Sequence, residues 1–347
     1  MKSEPDVWLF PLKSQIPMRL AIQHSRSLRL GFLLLGFALS LIACTLTAPP
    51  KPEFPPLQVV YDPWPGYLPI VIAQEKGFFD QQGVKVAAVL TQTAATKIPD
   101  FSAGKYDGIT LALGNVLTSI AVNPNTHIIL ATDLSDGADA VIAQPTIVAV
   151  RDLKGKTIGT GLGKFGELFV TKMLEINGLT TDDITLTSVS GEQIPALIQS
   201  GKIQAGHTWE PYLSPAVKAG LRVLFTSKQT PGLIPDVMVF RESVLRNRPD
   251  DVRAFVRAWF QAVDYWNANP KEGNALIAKA LKIKPETISL KGLKLLTLFD
   301  NRQAFTLGKK TESLHYTTQL YSNFFARTGS LNRPPDLNQL LDPSFLQ

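Results

Sequence analysis

Residues 57–89 read LQVVYDPWPGYLPIVIAQEKGFFDQQGVKVAAV. The apolar run LQVVY is strand-like. The segment LPIVIAQEKGFF has helical spacing, and VKVAAV is a second strand-like run. A strand, a helix and a strand in succession predict a β-α-β unit and an α/β fold. The same alternation continues outward. A helix closed at Gly104 is followed by the strands YDGITLAL, HIILATD and DAVIAQ.

A second series of the same kind begins near Leu153 with KTIGTG, the helix FGELFVTKMLEINGL, then ITLTSV, QIPALIQSG, QAGHTW, PYLSPAVKAG and LRVLF. From Val237 one more strand, VMVF, leads into a helical C-terminal third. Its clearest helix follows Pro249. There Val252, Phe255, Val256, Trp259, Phe260, Val263 and Trp266 form one apolar stripe that closes at Asn269-Pro270. Trp259 and Trp266 are therefore read as core. The two α/β series share a layout without any tandem repeat.

The chain has 347 residues with 45% apolar content, enough for at least one large core, and a single cysteine, which excludes a disulfide scaffold. Leu30–Ala43 is uncharged and follows Arg19, Arg26 and Arg29. As a helix it would span about 21 Å, short of the roughly 30 Å hydrocarbon core. A basic region followed by a short apolar run predicts an export signal over 1–43. The run Leu41-Ile-Ala-Cys44 resembles a bacterial lipobox, which implies lipidation at Cys44. The Pro-rich segment 44–56 then reads as a tether. Five of the 35 basic and two of the 29 acidic residues lie in 1–43, leaving 30 against 27. That balance gives no case for nucleic acid.

The sequence carries no G-x-S-x-G, P-loop or H-E-x-x-H pattern, and Cys44 belongs to the leader. No enzyme, cofactor or metal site is expected. His127, His207 and His315 stand apart and are read as solvated or core residues. Gly161-Leu-Gly-Lys-Phe-Gly166 lies between the strand KTIGT and a helix. An acidic residue at the end of the following strand, as a dinucleotide fold requires, is absent. Two readings stay open: a turn that merely starts the helix, or free N–H groups offered to an anion or acceptor oxygen.

Two aromatic loops stand out: Asp62-Pro-Trp64-Pro-Gly-Tyr67 after the first strand, and Trp209-Glu210-Pro-Tyr212 after QAGHT. In open α/β sheets such loops line the ligand crevice, although an indole packed back on its own domain is the alternative. Asp133 and Asp139 flank a turn and are read as turn-capping or solvated carboxylates. Against that, Asp136, Glu210 and Asp236 are expected to converge on the cleft with Trp64, Tyr67 and Trp209. Carboxylates beside aromatic faces suit a cationic nitrogen.

The runs PWPGY, AQEKGFFDQQGV, SAGKYDG, SDGADAVIA, DLKGKTIG, WEPYLSPA and PDDVRAFVRAWFQAVDYWNANP occur in this order. Together they resemble solute-binding proteins of ABC importers in the nitrate, sulfonate and taurine family. The resemblance implies a two-lobed α/β periplasmic binding protein-like fold of type II, its lobes joined by two crossover strands. It divides the chain into a first part of lobe 1 at 57–148, lobe 2 at 149–234, and at 235–347 a return strand with C-terminal helices. The crossings are expected near Ala143–Arg151 and Leu233–Phe240. Carried over by position, the family's cleft residues become Trp64, Tyr67, Asn115, Ser135, Asp136, Thr160, Gly161, Trp209 and Glu210. Gln204 departs from the pattern, where an acidic residue is common.

The resemblance further implies a monomeric receptor, exported and lipid-anchored on the outer face of the cytoplasmic membrane, working with an ABC permease and its ATPase. Like charges in a low-dielectric cleft repel, so three carboxylates argue against a purely anionic solute. A small nitrogen-bearing solute is expected, either a zwitterionic aminosulfonate such as taurine or a guanidinium or amidine cation. Its amine would sit among Asp136, Glu210 and Asp236, and any anionic end at Gly161. Nitrate, bicarbonate or an alkanesulfonate in the same receptor, a thiamine-pyrimidine synthase-like enzyme and a ligand sensor are the alternatives.

Overall fold

The computed structural model describes residues 54–91, 94–119 and 125–347. The expected export signal, Cys44 and the tether up to residue 53 lie outside the described residues. Strands β1 (Leu57–Tyr61), β2 (Val86–Leu90) and β3 (Gly108–Ala112) form a parallel set with β1 in the centre. The connection from β1 to β2 carries the helices Pro69–Glu75 and Phe78–Gln81. Gly77 and Gly83, both at positive φ, separate and end these helices. The β-α-β unit read from residues 57–89 is therefore present.

Beyond β3 come β4 (Thr126–Ser135), β5 (Asp139–Ala143), β6 (Thr157–Thr160), β7 (Thr185–Ser188), β8 (Ala205–Trp209), β9 (Arg222–Thr226), β10 (Pro235–Arg241) and β11 (Leu293–Leu295). Two mixed sheets result, ordered β11-β4-β10-β3-β1-β2 and β7-β6-β8-β5-β9. Each holds three parallel strands flanked by a strand running the other way, β10 beside β3 and β5 beside β8. The shared layout of the two sequence series is thus a shared sheet order.

The first change of sheet falls at Asp136–Ala138, between β4 and β5, not near Ala143–Arg151. β5 pairs with β8 and β9, so the second lobe's sheet begins at Asp139 rather than at residue 149. Continuous apolar runs such as DAVIA fit a strand of either sheet, and only long-range pairing assigns them. The second crossing covers the residues between β9 and β10, and β10 opens at Pro235, next to the expected boundary at 234.

The crossings are tied together by short bonds. Ser135 Oγ and Ser227 Oγ lie 2.8 Å apart, and Gly137 N–H donates to Ser227 Oγ at 2.6 Å. Asp136 and Ala138 both donate their N–H to the Gly292 carbonyl, at 2.8 and 2.9 Å. Gly292 has φ +77°, and a Cβ there would sit 2.7 Å from Ala138 N.

The helix Pro249–Ala268 returns to the first sheet's side and packs on the helices after β1. Phe255 lies 5.5 Å from both Phe79 and Phe240, and Trp259 and Trp266 are wholly buried. The helix Leu314–Arg327 touches both Leu113–Ser119 of the first lobe and Phe165–Ile176 of the second.

Gly292→Ala is expected to destabilise the protein more than Gly329→Ala, which also has positive φ but nothing within 4 Å of the added carbon. The control should cost about 1–2 kcal/mol from backbone strain alone, and the excess at Gly292 measures the clamp on the crossing. Urea unfolding of both variants checks it.

Candidate functional site

A cavity of about 370 Å³ lies at the C-terminal ends of the parallel strands. The loop after β1 contributes Asp62, Trp64 and Tyr67, the helix after β3 contributes Asn115, and the start of β10 contributes Asp236. From the second sheet come Gly161–Gly166 without Gly163, Ser188–Glu192 and Trp209–Tyr212, with Asp139 and His207 on the wall.

In the first lobe each buried carboxylate has a dedicated donor. The Trp64 indole N–H donates to Asp133 Oδ1 at 3.0 Å, and Thr132 Oγ1 donates to Asp133 Oδ2 at 2.8 Å. The Tyr67 hydroxyl donates to Asp236 Oδ1 at 2.6 Å. Lys97 Nζ lies 2.6 Å from Asp62 Oδ2 and donates to the Thr110 carbonyl at 2.7 Å, almost wholly buried. Gly66 allows the contact between Trp64 and Asp133: a Cβ there would fall 1.8 Å from Asp133 Oδ2.

The second lobe's wall is aromatic. His207 Nε2 lies 2.9 Å from Asp139 Oδ1, and both side chains are buried. The imidazole is edge-on to Phe165 with centroids 5.3 Å apart, and 5.5 Å from the Trp209 ring. Trp209 lies on Gly191, where a Cβ would meet the indole at 2.0 Å. Gly166 serves the same purpose beneath its helix, since a Cβ would come within 2.5 Å of His207 Nδ1.

Burial, opposed by hydrogen bonds from Thr132 and Trp64, pushes the Asp133 carboxyl up to about 7. The Asp236 carboxyl is held well above the ordinary carboxylate range, first by burial and then by the charge of Asp133. Burial, then the neighbouring charges of Asp236, Asp62 and Asp133, keeps the Tyr67 hydroxyl protonated. The lining carboxyl groups are Asp62, Asp139, Glu192, Glu210 and Asp236. Against them stand Lys97, already paired, and the exposed Lys164.

Of the residues expected in the cleft, the structure brings together Trp64, Tyr67, Asn115, Gly161, Trp209, Glu210 and Asp236. It does not bring Ser135, Asp136 or Thr160 to the wall. Ser135 and Asp136 belong to the crossing, Ser135 bonded to Ser227 and Asp136 carrying an exposed side chain. Thr160 is buried beneath Gly166. The N–H groups offered to an anion at Gly161–Gly166 are partly taken: Gly163 donates to Glu167 Oε2 at 2.6 Å and Phe165 to Asn115 Oδ1 at 3.4 Å. Glu210 is held by Ser214, whose N–H and hydroxyl cap onto its carboxylate.

Sequence reasoning missed Asp62, Lys97, Asp139 and His207. Asp62 directly follows β1, so the rule that selected Trp64 could have selected it. Asp133 and Asp139, read as turn-capping or solvated, are both buried, and His207 is a buried residue that also faces the cavity. Among the described residues no group of three or more His, Cys, Asp or Glu is placed to hold a metal.

Two α/β lobes with a polar, aromatic cavity at their strand ends define the periplasmic binding protein fold. The periplasmic aliphatic sulphonate binding protein of Escherichia coli superposes with a TM-score of 0.68 at 16% identity, over 85% of this chain and 99% of that one. The chain belongs to the NMT1-like family, whose model matches residues 50–282. A Bacillus subtilis (strain 168) protein described as an aliphatic sulfonates-binding protein is 24% identical over 294 residues, 80% of this chain and 84% of that protein. A 4-amino-5-hydroxymethyl-2-methylpyrimidine phosphate synthase of Aspergillus parasiticus is 27% identical over 228 residues, 59% of this chain and 64% of that enzyme.

A carboxyl that titrates near 7 when folded and near 3.8 when unfolded holds a proton that the unfolded chain releases. Stability is therefore expected to fall as the pH rises from about 4 to about 7, by at most about 1.4 kcal/mol per pH unit for each such group. Asp133→Asn should flatten that fall, as read from urea midpoints across the window.

Proposed function

We propose that the protein is an exported solute-binding receptor of an ABC importer that captures a small polar solute carrying a basic nitrogen. A zwitterionic aminosulfonate such as taurine, or a guanidinium or amidine cation, fits this description. The observation that carries the reading is the charge of the wall. Asp139 and Asp236 come from opposite lobes, while the buried Lys97 is already neutralised by Asp62. An anion would enter among carboxylates with no free buried cation to meet it among the described residues. An ammonium or guanidinium would instead find charge-assisted acceptors and the rings of Trp64, Tyr67, Phe165 and Trp209.

Of the three carboxyls expected around the nitrogen, Asp236 keeps that role, Asp139 takes the place of Asp136, and Glu210 lines the cavity while held by Ser214. Contacts from both lobes favour the closed arrangement, with the two crossings as the hinge. On this reading Cys44 carries a lipid, the mature monomer is tethered outside the cytoplasmic membrane, and a permease with its ATPase receives the solute. His207 and Asp139 shape the wall and carry out no reaction. Relatives named for aliphatic sulfonates favour a second reading, an alkanesulfonate in the same cavity.

Thermal unfolding scanned against taurine, methylguanidinium, pyrimidine amines, nitrate, bicarbonate and alkanesulfonates separates the two. A ligand at about 100 times its dissociation constant adds about 2.7 kcal/mol. A shift confined to compounds with a basic nitrogen is expected; a shift with nitrate, bicarbonate or a simple sulfonate alone contradicts the reading. Asp236→Asn and Trp209→Ala should each weaken binding by about 1–3 kcal/mol while the ligand-free protein stays folded.

A further inference from the structure

The register between β4 and β10 sets Asp133 directly opposite Asp236. Residues opposite one another on antiparallel strands share a face, with Cβ atoms about 4.5–5.5 Å apart. Both carboxyls are buried, and each has an aromatic donor from the β1 loop, Trp64 for Asp133 and Tyr67 for Asp236. Only one of the two faces the cavity: Asp236 lines it and Asp133 does not.

The groups around the pair leave it without a counter-charge of its own. From β5 comes Asp139, engaged with His207 of β8. From the β1 loop comes Asp62, which holds Lys97. From the helix Leu314–Arg327 comes Tyr321, whose buried hydroxyl has no hydrogen-bond partner among the described residues and lies in the field of Asp139 and Asp236. Two neighbouring carboxyls in such surroundings do not both ionise.

We propose that Asp133 and Asp236 share one proton in the ligand-free cleft, and that a cationic nitrogen arriving at Asp236 expels it. Asp133 is then a positioning residue that sets selectivity without touching the solute. The proposal rests on the nitrogen-solute reading above and assigns that site its charge selection. While the shared proton is in place, Asp236 is a weak partner for any cation, so affinity rises with pH, by at most about tenfold per unit, across the range in which the pair titrates.

Asp133→Asn removes the competing carboxyl and leaves an acceptor for the Trp64 indole. Without that neighbour Asp236 ionises at lower pH. The variant is expected to bind methylguanidinium more tightly than the wild type at about pH 6 and with similar affinity at about pH 9. Calorimetry on the full chain at about pH 6, in two buffers of different ionisation enthalpy, should show about one proton released per methylguanidinium bound to the wild type. The release should be much smaller in Asp133→Asn. Equal or weaker binding by the variant at acid pH overturns the proposal, as does binding to the wild type without proton release.

A ligand-free arm tests the pair independently. The infrared carbonyl stretch of a protonated carboxylic acid should be present at about pH 6, and its titration should move to lower pH in Asp133→Asn. No such band, or an unmoved titration, overturns the shared proton. A band that behaves as expected, with no binding of methylguanidinium or taurine, instead overturns the nitrogen-solute reading and with it the selective role of Asp133.

Discussion

Carboxyl groups buried at the base of a cleft each need a donor, and that requirement arranges the first lobe. An unsatisfied buried polar group costs several kcal/mol, and an unpaired buried charge costs more. Asp133 is met by the Trp64 indole and Asp236 by the Tyr67 hydroxyl, while the partly buried Asp62 meets the buried Lys97. These bonds tie the loop after β1 to β4, β10 and the helix Ala94–Ser102. The Pro-Trp-Pro-Gly-Tyr turn can therefore be rigid: its two rings are fixed at their polar tips and present their apolar faces. Gly66 completes it, because no side chain fits against Asp133.

The second lobe solves a similar problem differently. Its buried pair, Asp139 and His207, lies within one sheet on adjacent strands, and three aromatic rings surround the imidazole. Glycines at 166 and 191 let the helix and the β7 loop close down on His207 and Trp209. The cavity thus joins a hydrogen-bonded, acidic half to an aromatic one. The two halves meet where Asn115 accepts from the Phe165 N–H. The crossings at the edge of this arrangement are held by Ser135, Ser227 and the Gly292 carbonyl.

Much of this was legible in the chain. Strand and helix periods marked β1, β2 and the long helix after Pro249, because burial on one face imposes those periods. The aromatic loops followed from their position after strands. What escaped depends on pairing between distant residues. In Ser135-Asp-Gly-Ala-Asp139 the sequence points Asp136 to the cleft and Asp139 to a solvated turn, yet the change of sheet between them does the reverse, turning Asp136 to solvent and Asp139 to the cavity. The glycine-rich turn leaves two readings open in sequence, a plain helix start or free N–H groups. Glu167, four residues on from Gly163, and Asn115 from the other lobe supply acceptors that spacing within the motif does not reveal. Glu210 looked free for a ligand, and Ser214 in the next turn of chain holds it.

A basic nitrogen between Asp139 and Asp236 is what the charge of the wall calls for. Native mass spectrometry of the full chain purified from its own cells, with the released solute fragmented and identified, tests this most directly. A small bound solute with an amine, guanidinium or amidine group is expected, absent from Asp236→Asn. A bound solute that is purely anionic, retained by Asp236→Asn, would contradict it.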